Sequence, residues 1–520
     1  MGRRITDSFG NIIGEIESSA EQLSREATQT TLGVLIFIGA LAWALIKFVI
    51  SIWWILLLIV VLVGLGFLTA RIIKARRRRD FSFDSNIKKI KLHDGFTCIE
   101  EGAFRGCDNL SEIYIPMTVT EIKNGAFSGC SSLLSIDIPV SVCRIGTGSF
   151  MSCSSLKDVS IPEGLTEISK STFEDCSSLT SIVLPSTVKR IGARAFWKCV
   201  SLQSIEIPES VTEIDASAFD GCSKLSCVKL PSTLRKIHSR AFKDCISLKR
   251  IDIPEAVCEI GPGAFYGCTS IEYIKMPDTV STVAPYAFAH CKSLSHVELS
   301  QSITTIGDYA FDHCSQLMTF NLPVGVVMIG KNPFRGCDNL SVLNLSNNPR
   351  YNSGQDNNAI IQISDKKLIT LCQNSIIPSG ISIIGENAIA YNRSLVSITI
   401  PSSVTLIESS AFYSCSNLQD VQVDEGVKCI GNQAFKNCDQ LARIDIPASV
   451  TTIGDNAFVG CCALRTINMR PLAPPVINGN SLGCCDLAYV YVRTCSLEAY
   501  KTASGWNEFT WRNVRIIGVL

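Results

Sequence analysis

One unit of 23 residues, repeated through most of the chain, constrains the fold more than any other feature. Residues 204–225 show it cleanly as SIEIPESVTEIDASAFDGCSKL. They read as a hydrophobic strand, a proline turn, a second short strand and an Ala-Phe helical turn closed by Gly-Cys. Phe recurs at 104, 127, 150, 173, 196, 219, 242, 265, 288, 311 and 334, then at 412, 435 and 458, with Ile389 standing in once. Self-similarity at a fixed period of this size is the signature of a solenoid, and it outranks any local reading.

Numbered from each Phe, the unit has a constant interior. Aliphatics sit five residues before it (Ile99, Ile122, Ile214) and eight before it (Val119, Val142, Val211). Leu follows at plus six (Leu110, Leu133, Leu202), and aliphatics at plus nine and plus eleven (Ile113 with Ile115, Ile136 with Ile138). Apolar residues two apart carry the period of a strand. Pro at plus twelve (Pro116, Pro139, Pro208) ends that strand, because it has no N–H for a ladder. Gly at minus four (Gly146, Gly192, Gly261, Gly307) suits a bend before the helical turn. No coil can bury this set alone. Stacked coils can, laying strand beside strand in parallel sheets around one core. About fifteen coils at a rung spacing of ~4.8 Å make a rod of about 70 Å.

Composition narrows the function. Formal net charge is zero, so no global field draws the chain to nucleic acid, and no nucleic-acid partner is expected. Five histidines in 520 residues leave little material for acid–base or metal work. Cysteine is abundant at 24, and fourteen of these occupy plus three of the repeat, from Cys107 to Cys461. A residue kept by register reads as a small buried filler rather than half of a disulfide framework. Stacked thiols at rung spacing could also oxidise, which a reducing compartment disfavours.

The chain divides into five segments. Residues 1–31 are polar with a weak helical stripe (Ile5, Phe9, Ile12, Ile13, Ile16), either an amphipathic helix or a solvated lead-in. Residues 32–70 hold one ionisable side chain, Lys47, and read as a transmembrane region. As one helix they would be about 58 Å long, against a hydrocarbon core of about 30 Å. A hairpin of two spans turning near Lys47 is preferred. A single transmembrane helix after an interfacial helix is the alternative. Residues 71–91 are a flank and linker whose first nine positions carry six Lys or Arg. By the positive-inside rule that flank, and everything after it, lies in the cytoplasm. Residues 92–469 form the solenoid, with a hairpin-like insertion at about 346–380 between two runs of the repeat. Residues 470–520 cap the open end of the core, with Tyr500, Trp506 and Trp511 large enough to cover it.

The strand pattern Leu110-x-x-Ile113-x-Ile115, the Ala-Phe-x-Gly-Cys segment and the Ile-Pro-x-x-Val-x-x-Ile segment together resemble the BspA-type leucine-rich repeat family, over residues 96–470. The closing segment resembles that of BspA-like proteins from relatives of Bacteroides. The resemblance implies a mainly β leucine-rich-repeat solenoid from a bacterial or protozoan surface protein, associated with adhesion and protein binding.

Two candidate features remain. Side chains at plus ten leave the strand on the side opposite the core: Tyr114, Asp137, Glu206, Lys229, Asp252, Lys275 and Glu298. Tyr273 and His296 at plus eight join them. This face is either an ordinary solvated sheet or an extended binding strip for a protein or other macromolecule. His290-Cys291 and His313-Cys314 fall at one position of neighbouring coils, a ligand set that zinc accepts. Adjacent residues in a turning segment point apart, so the expectation is no metal. No G-x-S-x-G, P-loop, H-E-x-x-H or dinucleotide fingerprint is present. The expectation is no cofactor and no enzyme activity. The reading is a membrane-anchored protein-binding scaffold, with a surface adhesin whose array lies outside the cell as the alternative.

Overall fold

The structure, a computed structural model, describes residues 41–43, 47, 87–345, 347–354, 356, 358–372, 376–477, 480–483, 487–507 and 514–519. The chain forms two compact units, Met1–Phe83 and Asp84–Leu520. In the first, Lys47 Nζ lies 3.9 Å from the ring centroid of Trp43. No helix among the described residues is long and apolar enough to cross a membrane. Most of residues 32–70, on which the transmembrane expectation falls, lie outside the described residues, as do residues 1–31 and the basic run at 71–79.

In the second unit the alternation of apolar residues decides which way each strand faces. Glu112 and Tyr114 stand outside while Ile113 and Ile115 are buried. The same pattern holds at Ser135–Asp137 and Ser204–Glu206. These main strands pair in parallel, each residue opposite the one a full period away: Ser204 with Cys227, Tyr273 with His296. A second row of two-residue strands does the same, as in Cys98 with Glu121 and Glu213 with Lys236. One sequence period is therefore one rung. The aliphatics at minus five, minus eight and plus six fill the space between the rows; Ile122, Val119 and Leu110 are each fully buried.

The phenylalanines form a column. From Phe104 to Phe334 consecutive ring centroids lie 5.2–5.7 Å apart with planes within 1–13°. Centroids farther apart than the rungs mean laterally displaced rings, the favourable offset stack, worth about 0.5–1.5 kcal/mol per pair beyond burial. The column resumes at Phe412, Phe435 and Phe458.

The segment around each Phe is not the helical turn that the Ala-Phe pattern suggests. Along residues 102–107 the N–H groups bond alternately within the coil and across it. Ala103, Arg105 and Cys107 donate three residues back, whereas Gly102, Phe104 and Gly106 donate to Asn124, Ala126 and Ser128. Residues at minus two and plus two adopt left-handed backbone: Gly102 and Gly106 in one coil, Arg194 and Lys198 in another, Tyr309 and His313 in a third. A helix would spend every N–H on its own turn. The alternating ribbon sends every second one to the next coil, which a stack requires.

Glycine at minus four also has a different role from the expected bend. Gly146 does not take a left-handed φ; a Cβ there would sit 2.6 Å from Asn124 N, and one at Gly261 would sit 2.5 Å from Ser239 N. Its lack of a side chain lets neighbouring coils close.

Between the two runs of the repeat, Tyr351–Asn352, Ala359–Gln362 and Lys367–Leu371 pair antiparallel in that order. The third then pairs in parallel with Ile383–Ile384 and so rejoins the short-strand row. At the C-terminal end, Tyr489–Arg493 is followed by a helix at Leu497–Thr502 and a further strand, Arg515–Val519, parallel to it. Tyr500 and Trp506 are fully buried and meet edge to face at 4.9 Å. Their polar atoms donate to carbonyls of the proline-rich turn, Tyr500 Oη to Pro471 at 2.9 Å and Trp506 Nε1 to Pro475 at 2.8 Å. Trp511 lies outside the described residues.

Candidate binding face

The parallel register carries the outward residues of successive main strands into a row. Tyr114, Asp137, Glu206, Lys229, Asp252, Lys275, His296 and Glu298 are exposed, and Tyr273 is half-buried. Neighbouring rungs place many of these side chains against one another. Lys229 pairs with Glu206 across one rung, a contact that raises the lysine pKa. Tyr273 Oη donates to Glu298 at 2.6 Å, and that bond raises the tyrosine pKa. The Tyr273 ring lies flat on His296, centroids 5.5 Å apart and planes 7° apart. Asp252 accepts from Arg250 at 2.8 Å, and Lys275 reaches Glu255 at 3.7 Å. Charges on this face therefore partly neutralise one another. As exposed pairs they are each worth little in stability, but they hold side chains in set positions.

Register extends the row to residues that the sequence reading did not single out. Asn321 and Asn344 occupy plus ten in the next two coils, and Asn344 Nδ2 donates to Asn321 Oδ1 at 2.7 Å. With Lys275, His296, Glu298 and Asn347 they line a shallow groove. A second groove follows the insertion, lined by Asp420, Gln422, Arg443, Asp445 and Arg470. There Asp445 accepts from Asn468 and Arg470 at 2.6 and 2.9 Å. For Asn321, Asn344, Asp420, Gln422, Arg443, Asp445 and Asn468 the signal was the repeat position itself, plus eight or plus ten.

The four zinc candidates separate. Cys291 and Cys314 are fully buried, and their thiols donate to the Phe265 and Phe288 carbonyls at 3.2 Å. His290 and His313 have left-handed backbone and turn outward, with rings stacked at 4.8 Å. The His-Cys set does not converge on one point. The histidines meet instead a carboxylate that the sequence reading passed over. Asp312, 1 % exposed, lies 2.8 Å from His313 Nδ1 and 3.7 Å from His290 Nε2. Arg335 from the next coil binds it bidentately, both contacts 2.6 Å, with the guanidinium stacked over Tyr309 and Tyr391 at 4.8 and 5.0 Å. Burial alone would raise the Asp312 pKa; the bonds from Arg335 and His313 outweigh it and hold it below the ordinary value. A similar but more open group is Glu213, Asp215 and His238, where Arg190 holds Asp215 at 2.7 Å.

The described cysteines are free thiols. From Cys130 to Cys461 those at plus three bridge coils, each Sγ donating at 3.0–3.2 Å to the Phe carbonyl of the preceding coil, or for Cys415 to that of Ile389.

A family model described as the BspA type leucine rich repeat region, six copies, matches residues 77–202, 189–317, 258–355 and 367–485. Among solved structures, a leucine-rich repeat protein from Bacteroides ovatus is 28 % identical, with 77 % of this chain and 88 % of that chain covered and a TM-score of 0.44. A leucine rich cell surface protein from Faecalibacterium prausnitzii is 24 % identical, with coverage of 84 % and 92 % and a TM-score of 0.42. The pneumococcal vaccine antigen PcpA is 17 % identical, with coverage of 66 % and 89 % and a TM-score of 0.47. No curated protein matches the chain.

Proposed function

Because this chain belongs to the BspA-type leucine-rich repeat family, we propose that its array is a membrane-tethered, non-enzymatic scaffold that captures a protein on the main-strand face. The observation that carries this reading is the row at plus eight and plus ten, from Tyr114 to Asn344, where main strands pair in parallel two at a time with residues a full period apart opposite each other. A rigid strip of mixed charge and hydroxyl-bearing rings needs little ordering on binding, which lowers the entropic cost of association. Its alternating signs select a partner by complementarity more than they add affinity.

Tethering is argued from the sequence, where residues 32–70 carry Lys47 alone as an ionisable group. The basic run at 71–79 puts the array on the cytoplasmic side under the positive-inside rule. The family resemblance favours a second reading, a surface adhesin with the array outside the cell. Protease treatment of intact cells separates the two: the scaffold reading expects the array to survive, and its loss would turn the assignment to the adhesin. For capture itself, the double variant Lys229→Glu, Lys275→Glu should retain less partner in a pulldown from native membranes. An unchanged yield would remove this strip as the contact surface.

A further inference from the structure

We propose that His290, Asp312 and His313 form a binding site for a nitrogen-seeking divalent metal ion of the Zn2+ class, on the turn edge and apart from the main-strand face. Three donors from two adjacent coils converge there. Their ligand atoms all lie within 4.8 Å of one another, and the two separations involving Asp312 are 2.8 and 3.7 Å. A tetrahedral ion bound at about 2.1 Å needs donors about 3.4 Å apart, and the imidazoles, stacked with planes 15° apart, turn toward each other to aim both lone pairs at it. The carboxylate has room for it. Of roughly four lone-pair directions, Arg335 takes one on each oxygen and His313 takes a second on Oδ1. The remaining direction on Oδ2 faces His290 Nε2, at 3.7 Å too far for a hydrogen bond.

Both rings have aromatic neighbours. Tyr266 packs against His290 at 5.0 Å and Tyr391 against His313 at 5.7 Å, while the two imidazoles stack on each other. On ligation His313 offers Nδ1 and carries its proton on Nε2. Arg335 sets the selectivity. By engaging both carboxylate oxygens and adding a positive charge, it excludes Ca2+ and Mg2+, which need several oxygen ligands, and leaves a site that depends on imidazole nitrogen. The second cluster has one imidazole and two carboxylates and lacks that character.

Zinc chloride titrated by calorimetry into the full chain in detergent tests this, with His290→Gln, His313→Gln and, as a control, His93→Gln. Wild type and the control should bind one more equivalent of zinc than either variant, or bind it at least about tenfold more tightly, while calcium chloride gives no heat. Both histidines are about two-thirds buried at the surface, and thermal melts of each variant check that the fold is kept. Equal zinc binding by all four proteins, no zinc bound by wild type, or calcium competing with zinc would each overturn the assignment.

Discussion

The thiol of Cys176 donates to the carbonyl oxygen of Phe150 in the preceding coil, Sγ to O 3.1 Å. That oxygen also accepts the Cys153 amide at 3.2 Å, so the sulfur supplies the second partner of a buried carbonyl. Removing it costs a small cavity and a weak bond. Cys176→Ala is expected to lower stability by about 1–2 kcal/mol. Cys143→Ala, at an exposed site, should stay within about 0.5 kcal/mol of wild type. Urea denaturation of both variants checks the contrast.

The same burial makes the array sensitive to alkali. It pushes the Cys130 thiol from 9.0 up to about 12, and Cys176 and Cys199 well above the ordinary value. These groups stay protonated in the fold while the unfolded chain ionises. Their contribution is fully present below pH 9 and is lost as pH rises from there towards 12. Each thiol can remove up to about 1.4 kcal/mol per pH unit in that window. Melting temperature measured from pH 7 to pH 11 should fall steeply above 9. Replacing Cys176 and Cys199 with Ala should flatten the fall.

Phe219 stacks on Phe196 at 5.2 Å and on Phe242 at 5.3 Å and is fully buried. Phe219→Ala is expected to cost about 3–5 kcal/mol. Because each coil supplies its neighbour's interior, the loss should spread in both directions. Hydrogen exchange should quicken at the Phe196 amide, bonded to Ala218, and at Phe219, bonded to Ala241, and fall off with distance along the array. Acceleration confined to residues 213–225 would argue for independent coils.

Arg335 bridges the Asp312 carboxylate and the aromatic pair Tyr309 and Tyr391, where the repeat is interrupted. Arg335→Met leaves a carboxylate that is almost wholly buried without its cation, at a cost of about 3–5 kcal/mol. Asp312→Asn combined with Arg335→Met removes the stranded charge and should recover part of that loss. Thermal denaturation of the single and double variants measures the recovery.

The period, the parallel rungs and the buried Phe column were legible because a repeating core needs the same apolar residue at the same place in every coil. The ribbon around each Phe was not. Its left-handed residues include Arg194, Lys198, Tyr309 and His313, where no glycine advertises the conformation, and Ala-Phe reads locally as helix. Gly146 was visible, but its cause lay in the coil beneath it, where Asn124 approaches too closely for a Cβ. Asp312 was hidden for the opposite reason. Its position, plus one, changes from coil to coil, and its partners Arg335 and His290 come from neighbouring rungs. Asn321 and Asn344 could have been found by carrying the plus-ten register two coils further.

Site-specific photo-crosslinking in native membranes tests the central claim most directly. A photoreactive side chain at Asp252, Lys275 or Asn321 on the main-strand face, or at Tyr286 on the turn edge, reports which surface meets the partner. A discrete adduct from the three strand positions and none from Tyr286 is the predicted result. An adduct from Tyr286 alone would contradict it.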